Sequence, residues 1–293
     1  MGPKLGFFVA RWLSKQPFRL LYCFSGFLSF LLRLVVRYRK GVVVQNLKLT
    51  FPNESQAFYS RTRKGFYRNF SDFLVESVKV QSGNGGDITS RVRLKNPGVL
   101  RALYMQKKHV MLLSGHLFNW EWYVALAAQT DFETHAVYKR LKNEFLDDAF
   151  RAIRSRYHTR VFPMEDTYKH MIQAVKGKPA LFLFLADQSP HFSKITHDLD
   201  FLGVRTPVFT GWDKMARKLG MAVVYTAMKR CKRGEYEIEF QPITENAGLE
   251  APHFIVNQFY QALAESIRRA PDNYLWSHKR WKYRFGEHYG LNV

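Results

Sequence analysis

Short apolar runs alternate with amphipathic stretches along most of the chain, from about residue 109 to residue 269. Several apolar runs have no polar interruption, which is typical of strands covered on both faces of a sheet. We predict strands at 109–114, 134–139, 180–186, 221–228 and 236–243. We predict helices between and after them at 119–130, 144–157, 166–177, 211–219 and 251–269. This alternation predicts an α/β fold with a largely parallel or mixed central sheet flanked by helices.

The segment before the sheet has helical periodicity from residue 41 to residue 80. Pro52 is expected to end one helix, and Asn53 or Ser55 can cap the next. Apolar residues then recur at helical spacing over 66–80, which predicts an amphipathic helix. The glycine-rich stretch 82–87 is predicted to be a flexible loop.

The first forty residues contain an uncharged apolar core from Leu20 to Leu32. A spanning helix needs roughly 20 apolar residues, and Arg19 and Arg33 can lengthen this segment by extending their charges outward. Basic residues flank the segment on both sides, so its orientation is not fixed. We predict a membrane anchor over residues 1–40, spanning or lying in the interface, and a catalytic domain over 41–293. The alternative is a buried helix of a soluble domain.

The excess of basic residues predicts a negatively charged binding partner. The 45 Lys and Arg residues exceed the 24 acidic ones, for a net charge of +21. Nucleic acid, an anionic membrane and an acidic carrier protein all fit such an excess. Aromatic residues make up 16% of the chain, and aromatics mixed with Lys and Arg suit a lipid headgroup boundary. The two cysteines form no zinc or disulfide pattern, and no histidine shows a metal-ligand spacing, so no metal is expected.

The candidate chemistry lies in SGHLFNWEW, which follows the predicted strand at 109–114. Gly115 permits a sharp turn, and Asn119 can cap the following helix. His116 then lies in the turn and Glu121 in the first helical turn, so the imidazole can fold back toward the carboxylate. A histidine oriented by a carboxylate is a general base suited to neutral pH. The turn also lies beyond the carboxyl end of a strand, where α/β sheets bind ligands.

A nucleophile of the protein's own is not indicated, because the sequence contains no G-x-S-x-G motif. A base without a nucleophile suggests direct activation of a substrate hydroxyl. Free amides at the start of the following helix can stabilise the resulting oxyanion. The competing interpretation is a structural histidine, because His-x-x-x-x-Glu spacing alone is weak evidence.

GHLFNWE closely resembles the first motif of the late acyltransferases of lipid A biosynthesis, within the lysophospholipid acyltransferase superfamily. Further segments resemble that family in the same order, from about residue 40 to residue 285. Lys139 stands where many members have Arg, and His158 where glycine is common. The similar segments are VVVQNLKLTFPNES (42–55), AVYKRLKN (136–143), RAIRSRYHTR (151–160), ADQ (186–188), DFLGVRTPVFTG (200–211) and YLWSHKRWKYRF (274–285).

The resemblance implies transfer of an acyl chain from an acyl-carrier-protein or CoA thioester to a hydroxyl of a lipid A precursor. It implies a bacterial inner-membrane enzyme whose active domain faces the cytoplasm, with no cofactor. His116 is then the base and Glu121 its acidic partner. The candidate substrate-binding residues are Asn119, Lys139, Arg154, Arg156, Asp187 and Gln188.

Basic residues near these motifs are expected to form a cationic face for phosphorylated sugar headgroups. They are Lys139, Arg140, Arg154, Arg156, Arg160, Arg280 and Arg284. Three alternatives stay open: another lysolipid or aminolipid as acceptor, a basic nucleic-acid-binding protein, and a membrane protein without activity. The nucleic-acid alternative explains the charge but leaves the apolar N-terminus unexplained.

Overall fold

The computed structural model describes residues 2–80, 85–138, 140, 143–145, 147, 148 and 157–283. The predicted helix at 144–157 lies largely outside these residues, as do the candidate residues Lys139, Arg154, Arg156 and Arg284.

Seven strands form one mixed sheet in the order β1-β9-β8-β2-β5-β3-β4, and a separate hairpin pairs β6 with β7. Within the large sheet only β8 and β9 run antiparallel to each other, while all the other neighbouring strands are parallel. The strands are β1 Val92–Leu94, β2 Val110–Ser114, β3 Glu133–Tyr138, β4 Arg160–Pro163, β5 Ala180–Leu185, β6 His197–Phe201, β7 Val204–Val208, β8 Ala222–Lys232 and β9 Glu235–Thr244. The predicted fold class is confirmed.

The central strand β2 is buried at all five positions, which explains its uninterrupted apolar sequence. Its side chains alternate between two cores, as the pleat of a strand requires. Met111 and Leu113 pack into one core, whereas Val110 and Leu112 pack into the other. Both faces of the sheet are therefore covered, as the apolar runs predict.

Helices flank the sheet and form the N-terminal segment. They are α1 Gly2–Ser14, α2 Phe18–Phe30, α3 Lys40–Thr50, α4 Gln56–Lys79, α5 Gly85–Thr89, α6 Gly98–Met105, α7 Leu126–Gln129, α8 Thr167–Ala174, α9 Gly211–Lys218 and α10 Phe254–Arg269. A π-helical turn, Leu31–Val35, continues α2, and 3₁₀ turns include Trp120–Ala125 and Pro271–Asn273. Ser55 caps α4 by accepting a hydrogen bond from the Phe58 amide, as predicted.

Phe18–Val35 is long and apolar enough to cross a membrane, by length and composition, and only 11% of it is buried inside the protein. One side of α2 nevertheless packs on α4. Tyr22 donates a hydrogen bond to Glu76 at 2.8 Å, and Ser25 donates to Asp72 at 2.6 Å. The N-terminal segment therefore has a polar docked side and an apolar exposed side.

The structure departs from the predicted elements in two ways. Strands β1, β4, β6 and β7 were not predicted, because they are short or polar; β6, for example, reads HDLDF and is mostly only partly buried. The predicted loop at 82–87 is wrong over 85–87, since α5 begins at Gly85. Ile88 is fully buried there, and this burial outweighs the low helix propensity of the glycines. Residues 82–84 lie outside the described part.

Candidate active site

The site forms where two neighbouring parallel strands end. β2 ends at Ser114 and β5 at Leu185, and these two residues are paired in the sheet. The Ala186 amide then donates to the Ser114 carbonyl at 2.9 Å, which extends the pairing by one residue. The turns after the two strands therefore meet at the carboxyl edge of the sheet, the edge at which α/β folds place their ligands.

Gly115 is required at the start of the first turn by close packing. A Cβ atom at this position would lie 2.5 Å from Cδ1 of Leu263, a fully buried residue of α10. Three residues later, Phe118 adopts a left-handed backbone conformation with φ of 46°. The turn is thus tight at Gly115 and bent again at Phe118, and it presents His116 between these two points.

His116 is held by Asp187 through two contacts. Nδ1 of the imidazole lies 2.6 Å from Oδ1 of Asp187, and the His116 amide donates to Oδ2 at 3.2 Å. On the other side of the ring, Nε2 lies 3.1 Å from the Gln188 side-chain amide. A proton on Nδ1 shared with the carboxylate leaves the Nε2 lone pair to accept the Gln188 N–H, a contact that a substrate hydroxyl would replace. That is the tautomer of a general base.

Asp187 stays ionised despite its burial. Desolvation raises the pKa of this carboxyl, but the neighbouring His116 and its two hydrogen bonds, together with Arg280, outweigh that effect. The net pKa of Asp187 is lowered below its usual value. A charged carboxylate on Nδ1 stabilises the imidazolium that forms when His116 takes a proton.

Glu121 lies in the first turn of Trp120–Ala125, five residues beyond the histidine. The described hydrogen bonds to the two imidazole nitrogens come from Asp187 and Gln188 rather than from Glu121. The position that the sequence analysis gave to Glu121 is therefore filled by Asp187, which was expected only to line the pocket. A role for Glu121 in catalysis stays a prediction.

Asn119 occupies the N-cap position of the 3₁₀ turn, but its side chain makes no capping bond. It is fully buried, and its amide donates to Glu76 of α4 at 3.0 Å. The Glu76 carbonyl also accepts from the Trp122 indole at 3.2 Å. Asn119 therefore ties the catalytic turn to α4, and its contact with substrate stays a prediction.

The sequence contained a feature that could have indicated the contact between Asp187 and His116. The apolar run at 180–186 ends directly in Asp187 and Gln188, as the run at 109–114 ends just before His116. In a parallel sheet both strand ends lie at one edge, so polar residues after each end become candidates for mutual contact. The order of strands in the sheet decides which ends meet, and the sequence pattern does not supply that order.

Three backbone amides of the turn already donate to acceptors within the protein. His116 donates its amide to Asp187, and Leu117 donates to the Gly115 carbonyl. Phe118 donates to the Asn273 carbonyl at 3.2 Å. The oxyanion prediction concerned the amides at the start of the following helix, and it stays a prediction.

The C-terminal segment 274–283 closes over the site. Tyr274 forms a β-bridge with Leu117, and His278 accepts the Ser189 amide at Nε2 at 3.2 Å. Burial lowers the pKa of His278 to about 4, so this ring is neutral and free to accept. Asn46 of α3 holds the segment from the other side, because its amide donates to the carbonyls of Trp276 and His278, both at 2.9 Å.

Arg280 does not belong to a cationic surface, and that expectation is wrong. The residue is 1% exposed. Its guanidinium donates to the Pro207 carbonyl at 2.9 Å and to the Tyr260 hydroxyl at 3.1 Å. Arg140 and Arg160, by contrast, are exposed and paired with Asp166 and Glu133. Arg280 therefore acts inside the protein, where its charge favours the ionised form of Asp187.

An aromatic pocket adjoins the histidine. The Trp120 ring lies 4.8 Å from the His116 ring, edge to face, and 4.0 Å from Phe73 of α4. The pocket is lined by Phe66, Asn69, Phe70, Phe73, Phe118, Trp120, Asp272, Asn273, Tyr274 and Leu275. Its walls are mostly hydrocarbon, which suits an apolar ligand group.

No group of three or more His, Cys, Asp or Glu residues with metal-binding geometry occurs in the described ranges. Cys23 and Cys231 are free and exposed.

A histidine held by an ionised aspartate, beside an apolar pocket and beyond the end of a parallel strand, is an arrangement suited to transferring a group to a hydroxyl. A family model described as bacterial lipid A biosynthesis acyltransferase matches residues 2–283. The class is thus acyltransferase, and the chain belongs to the bacterial lipid A biosynthesis acyltransferase family. This agrees with the resemblance in the motifs, and it implies an acyl donor and a lipid A-type acceptor. No match was found among curated proteins.

Proposed function

We propose that the protein transfers a fatty acyl chain from an acyl-carrier-protein thioester to a hydroxyl of a lipid A precursor, with His116 as general base. The observation that carries the proposal is the contact of 2.6 Å between His116 Nδ1 and Asp187 Oδ1 in a chain of this family. We propose the cytoplasmic face of the bacterial inner membrane as the location, where a soluble thioester donor can meet a lipid acceptor.

In this mechanism Asp187 holds the Nδ1 proton, and Nε2 removes the proton from the acceptor hydroxyl. The hydroxyl oxygen attacks the thioester carbonyl carbon and forms a tetrahedral intermediate. The intermediate then collapses, the C–S bond breaks, and the imidazolium returns its proton to the leaving thiolate. The protein supplies no covalent nucleophile, and the step leaves an acyl ester and a free thiol.

We assign the orientation of His116 to Asp187 and keep Glu121 as a second candidate at the same turn. Asp187 lies 2.6 Å from Nδ1 of the imidazole, and Glu121 lies in the turn Trp120–Ala125. Paired substitutions at the two positions separate the two roles. Gln188, which lies against Nε2, is proposed to position the acceptor hydroxyl.

We propose that the aromatic pocket beside Trp120 contacts the first carbons of the acyl chain; its cavity of about 20 Å³ admits a chain only when the rings move apart. It adjoins the His116 ring, and its phenyl and indole walls favour hydrocarbon over water. Lys139, Arg154 and Arg156 stay candidates for the phosphate groups of the acceptor or for the acidic carrier protein, because Arg and Lys recognise such anions.

Lipid mass spectrometry with purified protein tests the proposal. A lipid A precursor incubated with acyl carrier protein loaded with one acyl chain should gain the mass of that chain, and the His116→Ala protein should form this product about 10³-fold more slowly. Acyl-CoA in a parallel reaction identifies the donor. An unchanged acceptor mass with every donor, under conditions where the protein is folded, would overturn the proposal. A product from acyl-CoA alone would correct the donor.

A further inference from the structure

The N-terminal segment exposes large apolar side chains from Phe8 to Val36 and makes polar contacts with α4 elsewhere. Helix α1, helix α2 and the turn Leu31–Val35 expose large apolar side chains on one side, and Val36 at the end is 63% exposed. The exposed apolar residues of this segment are Phe8, Val9, Trp12, Leu20, Phe24, Phe27, Phe30, Leu34, Val35 and Val36. Monomeric soluble proteins rarely carry so large a continuous apolar surface, and such a surface marks contact with a partner or a membrane.

The opposite side of α2 is fixed to the catalytic part by buried polar contacts. Tyr22 reaches Glu76, and Ser25, one turn later in α2, reaches Asp72, one turn earlier in α4. The two helices therefore run antiparallel and side by side. Beyond the π-helical turn, the Tyr38 carbonyl accepts from the Tyr67 hydroxyl at 2.7 Å, so the far end of the segment also stays against α4.

The near end is fixed in the same way. Lys79, at the end of α4, donates its ammonium to the Ser14 carbonyl at 2.9 Å and to the Gln16 carbonyl at 2.8 Å. These carbonyls lie at the junction of α1 and α2, where the chain turns at Pro17. The junction, the middle and the far end of the apolar segment are thus all attached to one charged helix.

The tip of the β8–β9 hairpin adds further charge along α2. Arg233 pairs with Asp72 at 2.6 Å and donates to the Tyr22 carbonyl at 3.3 Å. Arg230 also pairs with Asp72, at 3.4 Å. A bilayer-spanning path for residues 18–35 would either carry Asp72, Lys79 and these arginines into hydrocarbon or separate them from α2. Both changes are costly, because charged groups and unpaired polar groups are poorly tolerated in the bilayer.

From this geometry we propose that α1, α2 and the turn Leu31–Val35 lie in the plane of one leaflet of an anionic bilayer, with their apolar side inserted and the catalytic part still docked on the other side. Cations around the segment complement anionic headgroups. Those exposed are Arg11, Lys15, Arg19, Arg37, Arg39 and Lys40. This inference rests on the membrane location in the proposed function, and it specifies one-sided attachment instead of a span.

Sided cysteine labelling distinguishes the two arrangements. Cys23 and Cys231 are changed to Ser, and single cysteines are placed on either side of the potential span Phe18–Val35, Lys15→Cys before it and Lys40→Cys after it. Inside-out membrane vesicles from expressing cells are treated with a membrane-impermeant maleimide. We expect both positions to react fully without detergent. Reaction at position 15 only after detergent opens the vesicles would show that the segment crosses the bilayer and would overturn the inference.

The Cys23→Ser protein, which keeps the exposed Cys231 on the hairpin side, is the matched control for the face of the catalytic part. Its reactivity in the same vesicles fixes which face is outside. The experiment reads topology only, so it gives the same answer whether or not the protein transfers acyl chains. Failure of the proposed reaction and failure of this inference are therefore separate results.

Vesicle binding tests the inserted side. Phe27→Asp and Leu34→Asp together should lower sedimentation with vesicles of phosphatidylethanolamine and phosphatidylglycerol at least 10-fold, because two charges then meet the acyl region. Acyl transfer to detergent-dispersed acceptor should be kept, since neither residue is near His116. Wild-type binding that is equally strong without phosphatidylglycerol would overturn the role of anionic lipid, and unchanged binding of the double variant would overturn the inserted face.

Discussion

Two carboxyl groups of this protein are almost completely removed from water, yet their surroundings differ. Asp187, at the end of β5, has a histidine on one oxygen and the charge of Arg280 nearby. Glu76, on α4, accepts from the hydroxyls of Tyr22 and Tyr236 and from the Asn119 amide. Burial raises the pKa of both carboxyls, but in Asp187 the cationic partners reverse the direction, whereas in Glu76 burial prevails and the pKa stays raised.

This difference distinguishes the carboxylate that we propose for catalysis from a structural one. Asp187 is held in the charged form and can stabilise a cation on the imidazole. Glu76 joins α2, the catalytic turn and β9 through uncharged donors, which suits a connector that never needs to change its charge. The burial of a carboxyl group alone therefore does not indicate its function. The charge of the groups around it is more informative.

The largest expected effect follows removal of the base. His116→Ala should lower the rate of acyl transfer by about 10³-fold, since general base catalysis typically contributes 10²- to 10⁴-fold. Mass-spectrometric product formation under initial-rate conditions measures it, and circular dichroism confirms that the fold is kept. A folded variant with near wild-type turnover would remove His116 from the mechanism.

The next effect separates the two candidate partners of the histidine. Asp187→Asn should lower kcat by about 10²-fold or more, because an amide can no longer hold the base in its tautomer or stabilise the imidazolium. Glu121→Gln, measured in parallel, should cost less than Asp187→Asn. The reverse order of the two rates would return the orienting role to Glu121.

A smaller effect is expected from Arg280. Arg280→Gln should lower kcat by about 10-fold and move the acid limb of the pH–rate profile to higher pH, as a general base profile reports such groups. The sign follows because Arg280 helps to lower the pKa of Asp187, so its loss lets that carboxylate take a proton at higher pH. Arg280→Lys keeps the charge and should keep the wild-type acid limb. An identical shift in both variants would indicate a purely structural role.

The smallest effect on catalysis is expected from substitution of Glu76, the second buried carboxyl group. Glu76→Gln should keep the acyl-transfer rate within about threefold of wild type, because the amide preserves most of the hydrogen bonds around it. Its effect appears in the pH dependence of stability. The folded pKa of Glu76 is raised above 4.5, so its contribution is fully present below the unfolded pKa and is lost as the pH rises through the folded value.

Urea unfolding of both proteins from about pH 4.5 to about pH 8 measures this. The free energy of unfolding of wild type relative to Glu76→Gln should fall over that range. A constant difference would mean that Glu76 has the same proton affinity in the folded and unfolded chain. A rate loss as large as that of Asp187→Asn would erase the distinction between the two carboxyls.

The sequence was sufficient for the elements that repeat a strong pattern. The run VMLLS lies in a strand covered on both faces, and α10 follows a clear helical periodicity. The hairpin β6–β7 was missed because its strands are polar and gain their place from packing against residues far away in the chain. Local patterns report local preferences, and these elements are stabilised mainly by tertiary contacts.

The residues of the candidate site also fall into those that local sequence predicted and those that it did not. His116 and its tight turn were predicted from a continuous segment, and the Gly115 contact with Leu263 gives the turn its physical reason. The contact of His116 with Asp187 was not predicted, because Asp187 is 71 residues away along the chain. The two residues meet only through the pairing of β2 with β5. Arg280 was assigned to the surface because charge alone does not show that Tyr260 and Pro207 enclose it.

The Asn46 side-chain amide donates hydrogen bonds to the carbonyls of Trp276 and His278, which lie 230 and 232 residues later in the chain. Contacts of such high sequence separation form late in folding, because the entropy of closing a long loop is lost before the contacts stabilise the chain. During synthesis the apolar N-terminus can reach the membrane while the segment that closes the site has not yet been made. A truncation immediately before His278 should therefore leave a membrane-bound chain in which the site is not closed.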